Sequence, residues 1–427
     1  MSTTRHGWYA VLSLHVCWLL WTGLLKGLGV MLPTLQEQFR SHTWLVGWMV
    51  AIISGVINFI GPLAGPLECM FGTRAVVAIG GFLLGVSMIV ASSTTSLGQL
   101  TLILTLVAAP GLSFANVLTR ALVGRCYTSN YATANGIGTS GHAVGMIVMA
   151  PLTQLLLDTY GWRGAIMVLG ALSLHLGVCG LLICETRDTE KDNNTYQPIR
   201  GIYEDLSHKD STQHSLFHSF KDAILSLSRY FGVSVFLQGS FWIAAVIFVI
   251  ARLPCDLWLI YFVALAQAKG FPAYDAVTFT SVAGVGSIVI SVFLGYVVDR
   301  GFVKLRMALL LTIILDSVTL LVIPWMNSYW LMMANAFVCL GAHGTTISFS
   351  DVYIREMVGT KHLIHAFSWT ELMSAIFTIS LGFVPGWIYD QTGSYDLAFV
   401  ILGCISALPL AALFIEWGLM HWTSSSR

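Results

Sequence analysis

The chain has 427 residues, of which 56% are hydrophobic and only 10% are charged, and its formal net charge is zero. A chain this apolar cannot be covered as a water-soluble globule. The zero net charge itself says little about partners, and no nucleic-acid partner is expected. In lipid every backbone N–H and C=O must be satisfied within the protein, so apolar stretches of about 20 residues predict membrane-spanning helices. A helical bundle of this length is most often a solute carrier.

Twelve apolar stretches of membrane-spanning length follow one another along the chain. The first, at 8–35, is too long for a signal-peptide core and is expected to be retained. A polar stretch of mixed charge at 185–229 is interpreted as a solvated linker between the sixth and seventh spans. The pattern predicts an all-α membrane protein with twelve transmembrane helices, in a six-helix N-terminal half at 1–184 and a six-helix C-terminal half at 230–427. The other spans are predicted at 44–67, 75–92, 97–122, 132–157, 165–184, 233–265, 277–298, 307–325, 330–350, 365–389 and 397–420.

The positions of lysine and arginine predict the orientation, because cytoplasmic loops carry an excess of both. One set of gaps between the spans holds only Arg40, Arg163 and Lys269. The opposite set includes both termini and the linker, which are therefore predicted to be cytoplasmic in a multi-pass protein of the plasma membrane. That set holds Arg5, Arg74, Arg120, Arg125, Arg187, Lys191, Arg200, Lys209, Lys221, Arg229, Arg300, Lys304, Arg306, Arg355, Lys361 and Arg427.

A short glycine-rich and charged motif occurs at the same place in each half. The second copy closes the eighth span with Gly295, Asp299 and Arg300, where the glycine would let helices approach and the acid could cap a helix or pair with a base. The pair resembles the loop motif of the major facilitator superfamily, which recurs in each half. The first copy departs from that motif: Cys69 stands where the family usually has aspartate or asparagine, and Glu68 precedes it. We interpret both copies as gating and packing elements; the first comprises Gly65, Glu68, Gly72 and Arg74.

Further motifs resemble those of the monocarboxylate transporter family, over nearly the whole chain and in the same order. They are the aromatic–glycine opening at Gly7-Trp8, the Trp162-Arg163-Gly164 turn, Ala134-Asn135-Gly136 in the fifth span, and two stretches at 356–360 and 390–395. The resemblance implies a major facilitator fold that binds substrate between its two halves. It also implies candidate partners besides the lipid bilayer, namely a coupling proton and a single-span accessory subunit.

Lys26 lies two-thirds of the way along the first span. An ionisable side chain within a span costs about 2.5–3.5 kcal/mol on insertion scales and usually marks a functional pathway. Lys26 could instead extend its amine towards the membrane surface. The position coincides with the lysine that binds substrate in the family it resembles, so Lys26 is interpreted as a substrate-binding cation.

Arg252 and Asp256 are four residues apart around Pro254 in the seventh span, so they share one helix face. Pro254 is expected to weaken the helix locally, and interrupted helices often build binding sites at mid-membrane. The family resemblance would place a charged pair in the eighth span, but those positions are Ser287 and Ser291. We predict that Arg252 and Asp256 replace that pair, with a purely structural ion pair as the alternative.

Glu371 is an acid within the eleventh span. It could carry a coupling proton, pair with a basic residue at the cavity, or make a structural hydrogen bond; Asp256 is a second candidate for coupling. Asn58, Asn135 and His142 are predicted to line the substrate cavity, although polar side chains also hold membrane helices together. His343 is a weaker candidate.

Together these features predict a secondary transporter that moves a small organic anion or zwitterion, resembling a monocarboxylate, by alternating access. The missing eighth-span pair leaves open a facilitator of an amino-acid-like or aromatic solute that is not coupled to protons. A non-transporting substrate sensor on the same fold is the other alternative. No nucleophile–base constellation, metal-ligand spacing or cofactor motif appears in the sequence, so neither an enzyme nor a cofactor is expected.

Overall fold

The computed structural model describes residues 2–127, 131–183, 233–359 and 363–425, and every regular element in these ranges is helical. The predicted linker at 185–229 lies outside the described residues. The first half contains α1 (Ser2–Phe39), α2 (Thr43–Phe59), α3 (Ala64–Phe71), α4 (Thr73–Ala91), α5 (Leu97–Ile103), α6 (Ala109–Cys126), α7 (Tyr131–Thr139) and α8 (Gly141–Leu182). The second half contains α9 (Gly239–Ala268), α10 (Ala273–Asp299), α11 (Leu305–Val322), α12 (Tyr329–Val358), α13 (Leu363–Leu381), α14 (Val384–Thr392) and α15 (Asp396–Ser425).

Several spans are built from two consecutive elements. A 3₁₀ turn at Gly61–Leu63 joins α2 to α3, and a π turn at Leu104–Ala108 joins α5 to α6. Further 3₁₀ turns at Val233–Leu237 and Ile323–Trp325 precede α9 and follow α11. In the eleventh span α13 is followed by α14, and in the fifth α7 is followed by α8. The long α8 continues through Gly161, whose φ of 68° lies in the left-handed region that favours glycine, into the sixth span.

Ten helical segments of the described chain are long and apolar enough to cross a membrane. Division of α8 at Gly161 adds one span, and α12 adds another. Polar side chains along its interior, including His343 and Asp351, explain why α12 falls short on hydropathy alone. The described helices therefore provide the twelve spans of the predicted fold.

The structure corrects two predicted helix ends and one predicted helix break. The tenth span continues to Val358 rather than ending at residue 350, which brings Asp351 inside the helix. The fourth continues to Cys126 rather than ending at residue 122, so Arg120, which the orientation argument counted in a gap, lies more than a turn from the end of the helix. The seventh is one continuous helix across Pro254, because proline is tolerated where neighbouring membrane helices satisfy the freed backbone groups.

Because successive spans alternate in direction, the bundle has two distinct ends. We call the end at which Phe71, Cys126, Leu182 and Val358 lie the linker side, since the linker joins the halves there. We call the other end, with Phe39, Ala91, Ala268 and Thr392, the loop side. Contacts between the halves join α1 to α9, α2 to α9, α13 and α14, and α8 to α10. All residues of α9 from Ala251 to Ala266 are buried, which places this helix at the centre of the molecule.

Candidate functional site

Lys26 is completely buried, with its side chain directed from α1 of the first half towards α9 of the second. Its Nζ donates a hydrogen bond to the carbonyl oxygen of Leu259 at 3.2 Å and lies 4.9 Å from the ring centroid of Trp258. The ring of Phe262 is 5.7 Å away. No carboxylate oxygen in the described ranges lies within 4.0 Å of Lys26 Nζ, the distance expected of an ion pair. The amine is instead surrounded by a backbone carbonyl and two aromatic rings.

Arg252 and Asp256 form an ion pair on α9, with Arg252 Nε 3.2 Å from Asp256 Oδ1. The other carboxylate oxygen accepts hydrogen bonds from Ser54 of α2 and Thr378 of α13, each at 3.3 Å. The guanidinium lies 5.1 Å from the ring centroid of Trp21. Asp256 therefore links the two halves, while the terminal nitrogens of Arg252 donate to no described residue.

Two tryptophans of α1 form an aromatic wall beside Arg252, whose guanidinium lies over Trp21. The rings of Trp18 and Trp21 meet edge to face at 5.3 Å, and His142 of α8 lies 6.1 Å and 5.9 Å from them. His142 Nδ1 is 2.7 Å from the hydroxyl of Thr22, which holds the imidazole against α1. The buried indole N–H groups of Trp18, Trp21 and Trp258 have no partner among the described residues, so they are available as donors.

Sequence reasoning missed a second ionic cluster nearer the linker side. Arg120 of α6 lies 3.2 Å from Asp351 of α12 and 3.2 Å from Glu371 of α13. Its guanidinium also lies 5.1 Å from the ring of Phe367. We call Arg120, Asp351 and Glu371 the inner triad; it joins the first half to the second. One oxygen of each carboxylate, Asp351 Oδ1 and Glu371 Oε2, is buried without a described partner.

The signals for the inner triad were present in the sequence but were assigned to loops. Arg120 is followed by Ala121, Leu122 and Val123, and Asp351 by Val352 and Tyr353, so apolar residues continue beyond each charge. Such continuations indicate helix inside the bundle rather than a gap between spans. Of the three roles considered for Glu371, the structure shows the contact with a basic residue, Arg120.

Asn58 and Asn135 differ in their positions. Asn58 of α2 is 3% exposed, and its Nδ2 has no hydrogen-bond partner in the described part of the chain. Asn135 lies on α7, two helical turns nearer the linker side than His142, and its Oδ1 is also unpartnered there. No hydrogen bond among the described residues joins Asn135 to Lys26 or Arg252. The structure therefore places His142 against Trp18 and Trp21 and leaves Asn135 away from them. We call Lys26, the Arg252–Asp256 pair and the aromatic wall with His142 the central cluster.

Ser287 and Ser291, which occupy the positions of the expected eighth-span pair, lie within the second half. Ser291 Oγ is 3.0 Å from the hydroxyl of Thr345, and Ser287 is 6% exposed against the neighbouring α12. A Cβ added at Gly344 would lie 2.6 Å from Ser287 Oγ. These serines join α10 to α12 by hydrogen bonds and close packing, and they carry no charge.

The two copies of the glycine-rich motif lie at the linker side. Glu68 binds both terminal nitrogens of Arg125, at 2.6 Å and 3.0 Å, and accepts a hydrogen bond from Thr73. Gly72 has a φ of 80°, a conformation that favours glycine between two helices. The close approach expected at Gly65 and Gly295 is wrong, because a Cβ there would meet no described atom within 4 Å.

In the second copy, Arg300 follows the end of α10 and lies 5.2 Å from the ring of Tyr296. The side chain of Asp299 lies outside the described residues. Arg74 of the first copy is the second residue of α4, directly after Thr73. The sequence placed both copies at helix ends on one side of the bundle, and the structure places them there. Their part in gating stays a prediction.

Comparison with known proteins extends over most of the chain. The family model of the Major Facilitator Superfamily matches residues 14–353. The chain is 26% identical to monocarboxylate transporter 12 of Rattus norvegicus over 405 residues, covering 93% of this chain and 82% of that protein. It is 27% identical to monocarboxylate transporter 13 of Rattus norvegicus over 399 residues, covering 93% and 86%. The crystal structure of a D-xylose–proton symporter superposes with a TM-score of 0.71 at 14% identity, covering 95% of this chain and 96% of that one.

Proposed function

Because this chain belongs to the major facilitator superfamily and is a membrane transporter, we propose that it moves a small organic carboxylate through the seam between its halves by alternating access. The observation that carries the proposal is Lys26, a fully buried cation with no carboxylate partner among the described residues. A buried charge is tolerated when paired, so an anionic substrate would complete the site. The monocarboxylate transporters that the chain resembles are named for such anions.

The groups around Lys26 fit a small carboxylate with an apolar body. The indole N–H of Trp258 beside Lys26 would add a hydrogen bond to a carboxylate oxygen, and the ring faces of Trp258 and Phe262 would pack on carbon. Arg252 lies over Trp21 with its terminal nitrogens unused by described residues, which supplies a second cation. Asp256 holds Arg252 in place and so acts as a positioning residue in this proposal.

A zwitterionic substrate is the second candidate, and the inner triad favours it. Two carboxylates, Asp351 and Glu371, share the single guanidinium of Arg120, and each retains an oxygen without a described partner. A substrate ammonium or guanidinium group could bind those oxygens while its carboxylate binds Lys26. Such two-ended recognition would distinguish an amino-acid-like solute from a simple monocarboxylate.

The test of the Lys26 site is a comparison of three variants in proteoliposomes. Lys26→Gln should abolish counterflow of the labelled probe, and Lys26→Arg should retain part of it because the charge remains while its geometry changes. The matched control is Lys269→Gln, since Lys269 pairs with Asp396 at the loop side and lies outside the site. The probes are labelled acetate, lactate, alanine and phenylalanine, screened first by their effect on the thermal stability of the purified protein.

The outcome distinguishes the two substrate classes. Stabilisation by acetate or lactate supports a simple carboxylate, whereas stabilisation by the amino acids alone supports the zwitterion. Undiminished counterflow by Lys26→Gln would overturn the binding role of Lys26.

We propose that the linker side faces the cytoplasm of a plasma-membrane protein. The lysine and arginine asymmetry between the two sets of gaps supports this orientation. A cysteine introduced at Ser211, in a background without reactive native cysteines, should resist an impermeant thiol reagent in intact cells and react after permeabilisation. Equal labelling in both states would reverse the orientation.

A further inference from the structure

A buried acid–imidazole pair lies inside the second half, away from Lys26 and the inner triad. Asp316 of α11 is 1% exposed and His343 of α12 is 3% exposed, and His343 Nδ1 lies 2.9 Å from Asp316 Oδ1. Ser406 of α15 donates to the other oxygen, Asp316 Oδ2. Three helices of one half therefore converge on a single carboxylate, and the only ion-pair partner it has within the described ranges is an imidazole.

The charges around this pair leave it able to take up one proton. With Nδ1–H donating to the carboxylate, the neutral imidazole and Asp316 together carry one negative charge, which is costly in a bundle core. His343 Nε2 is buried and meets no nitrogen or oxygen partner among the described residues; the thiol of Cys255, a weakly polar group, lies beside the imidazole. When a hydronium ion transfers its proton to the lone pair of Nε2, one O–H bond of the hydronium breaks, an N–H bond forms, neutral water leaves, and the pair reaches net zero charge.

The pair has an electrostatic route to the central cluster. The thiols of Cys255 on α9 and Cys339 on α12 face it, and neither supplies a positive charge. His142 of the first half interacts electrostatically with both His343 and Arg252. A proton on His343 therefore changes the electrostatic potential at His142, which lies against Trp18 and Trp21 in the aromatic wall.

We propose that Asp316 and His343 form the site at which a coupling proton binds, so that substrate moves together with a proton. This inference rests on the proposed function, because it assigns the coupling step of that same transport. It replaces the coupling roles predicted for Glu371 and Asp256, since those carboxylates are already paired with Arg120 and Arg252. The eighth span, where the family resemblance expects charges, has Ser287 and Ser291 instead.

The test separates exchange from proton-driven accumulation in proteoliposomes. Counterflow at equal pH requires only alternating access with bound substrate, whereas accumulation against a gradient at acidic external pH requires proton coupling. His343→Gln and Asp316→Asn should keep counterflow of labelled lactate or alanine within about twofold of wild type and lose accumulation above protein-free liposomes. Thr346→Val is the matched control. The buried Thr346 hydroxyl lies on the same helix as His343 and donates to the carbonyl oxygen of Ala342, one turn earlier in that helix.

Each result has a defined consequence. Gradient-driven accumulation by His343→Gln, or a wild type that exchanges the probe but ignores the pH gradient, overturns the proton site and leaves the proposed function standing. No counterflow with any probe overturns both. If His343→Gln fails to reach the membrane, Ser406→Ala provides the readout, because it keeps both titratable groups and removes one hydrogen bond to Asp316. It should shift the external pH of half-maximal accumulation, and an unchanged pH profile would overturn the proposal.

Discussion

The two halves meet in two seams that use different physical interactions. At the loop side, backbones approach directly: a Cβ at Gly29 would lie 2.8 Å from the carbonyl oxygen of Ile260. A Cβ at Gly47 of α2 would meet the side chain of Tyr261 on α9, and the indole N–H of Trp48 on α2 donates to the carbonyl oxygen of Ile379 on α13 at 2.8 Å. At the linker side, the inner triad joins the halves through charges. The loop-side seam depends on shape and the linker-side seam on electrostatics.

The difference bears on how each seam can open. Separation of the inner triad exposes three charged groups that water can hydrate, so their lost ion pairs are partly compensated. Separation of the loop-side seam exposes tryptophan and tyrosine rings and unpaired carbonyls, for which complementary packing is the main attraction. Alternating access requires both to open in turn, so substitutions should bias the two seams through different mechanisms.

The largest effect is expected at the linker-side seam. Arg120→Met removes the cation that Asp351 and Glu371 both contact, and breaking a buried pair from one side costs about 3–5 kcal/mol of stability. The triple variant that also carries Asp351→Asn and Glu371→Gln should recover most of that loss, because no charge is then stranded. Chemical unfolding of the purified protein in detergent measures both. Equal destabilisation of the single and triple variants would show that Arg120 acts through packing on Phe367.

A smaller effect is expected at the loop-side seam. Gly29→Ala places a methyl group against the backbone of α9, and overpacking of this kind costs about 1–3 kcal/mol. The variant should therefore favour the conformation in which the halves are apart on that side. Gly98→Ala is the control, because a Cβ there would meet no described atom within 4 Å.

The measurement is the reactivity of a cysteine at Ala51, which faces Gly382 across the seam, towards an impermeant reagent. In a background without reactive native cysteines, Gly29→Ala should raise this reactivity while Gly98→Ala leaves it unchanged. A reactivity unaffected by Gly29→Ala would mean that this close contact does not control opening.

The two seams also differ in how far the sequence predicted them. Hydropathy predicted the helical class and the span order, because each span must satisfy its backbone within the membrane. It assigned Arg120 and Asp351 to the gaps between spans. A charged residue near the end of a predicted span is taken as part of a loop when its partners on other helices are unknown. The glycine motif was placed at the correct end, but the expected close packing at Gly65 and Gly295 was wrong, because such packing depends on neighbours distant in sequence.

The central cluster shows the same limit. The spacing of Arg252 and Asp256 put both on one helix face, but nothing in the sequence indicated that Ser54 and Thr378 would bind the same carboxylate from two other helices. Asp316 is an acid inside the predicted ninth span and could have been singled out by the rule applied to Lys26, whereas its partners, His343 and Ser406, are distant along the chain and could not be predicted. Local periodicity predicts which helix face a residue occupies, whereas the identity of the facing helix is set by tertiary packing.

The smallest effect is expected from Asp390, a charged residue that bridges the loop-side seam. Asp390 of the second half accepts hydrogen bonds from the backbone N–H groups of Thr43 and Trp44, at 3.3 Å and 3.1 Å, at the start of α2 in the first half. A carboxylate at this end of a helix satisfies unpaired N–H groups and interacts favourably with the helix dipole. Because the cap crosses between the halves, it exists only while the loop-side seam is closed.

Asp390→Ala should therefore weaken the closed seam by about 1 kcal/mol, as is typical for a lost helix cap. Asp390→Asn should retain part of this, since its amide oxygen still accepts one hydrogen bond but without the charge. Reactivity of the cysteine at Ala51 should be higher in Asp390→Ala than in Asp390→Asn, and in both the rise should be smaller than Gly29→Ala causes.

High salt should reduce the difference between the wild type and Asp390→Asn, because it screens the dipole interaction, and should leave the Gly29→Ala effect unchanged. If salt altered both equally, the seam would not be held by shape, and the contrast with the inner triad would fail.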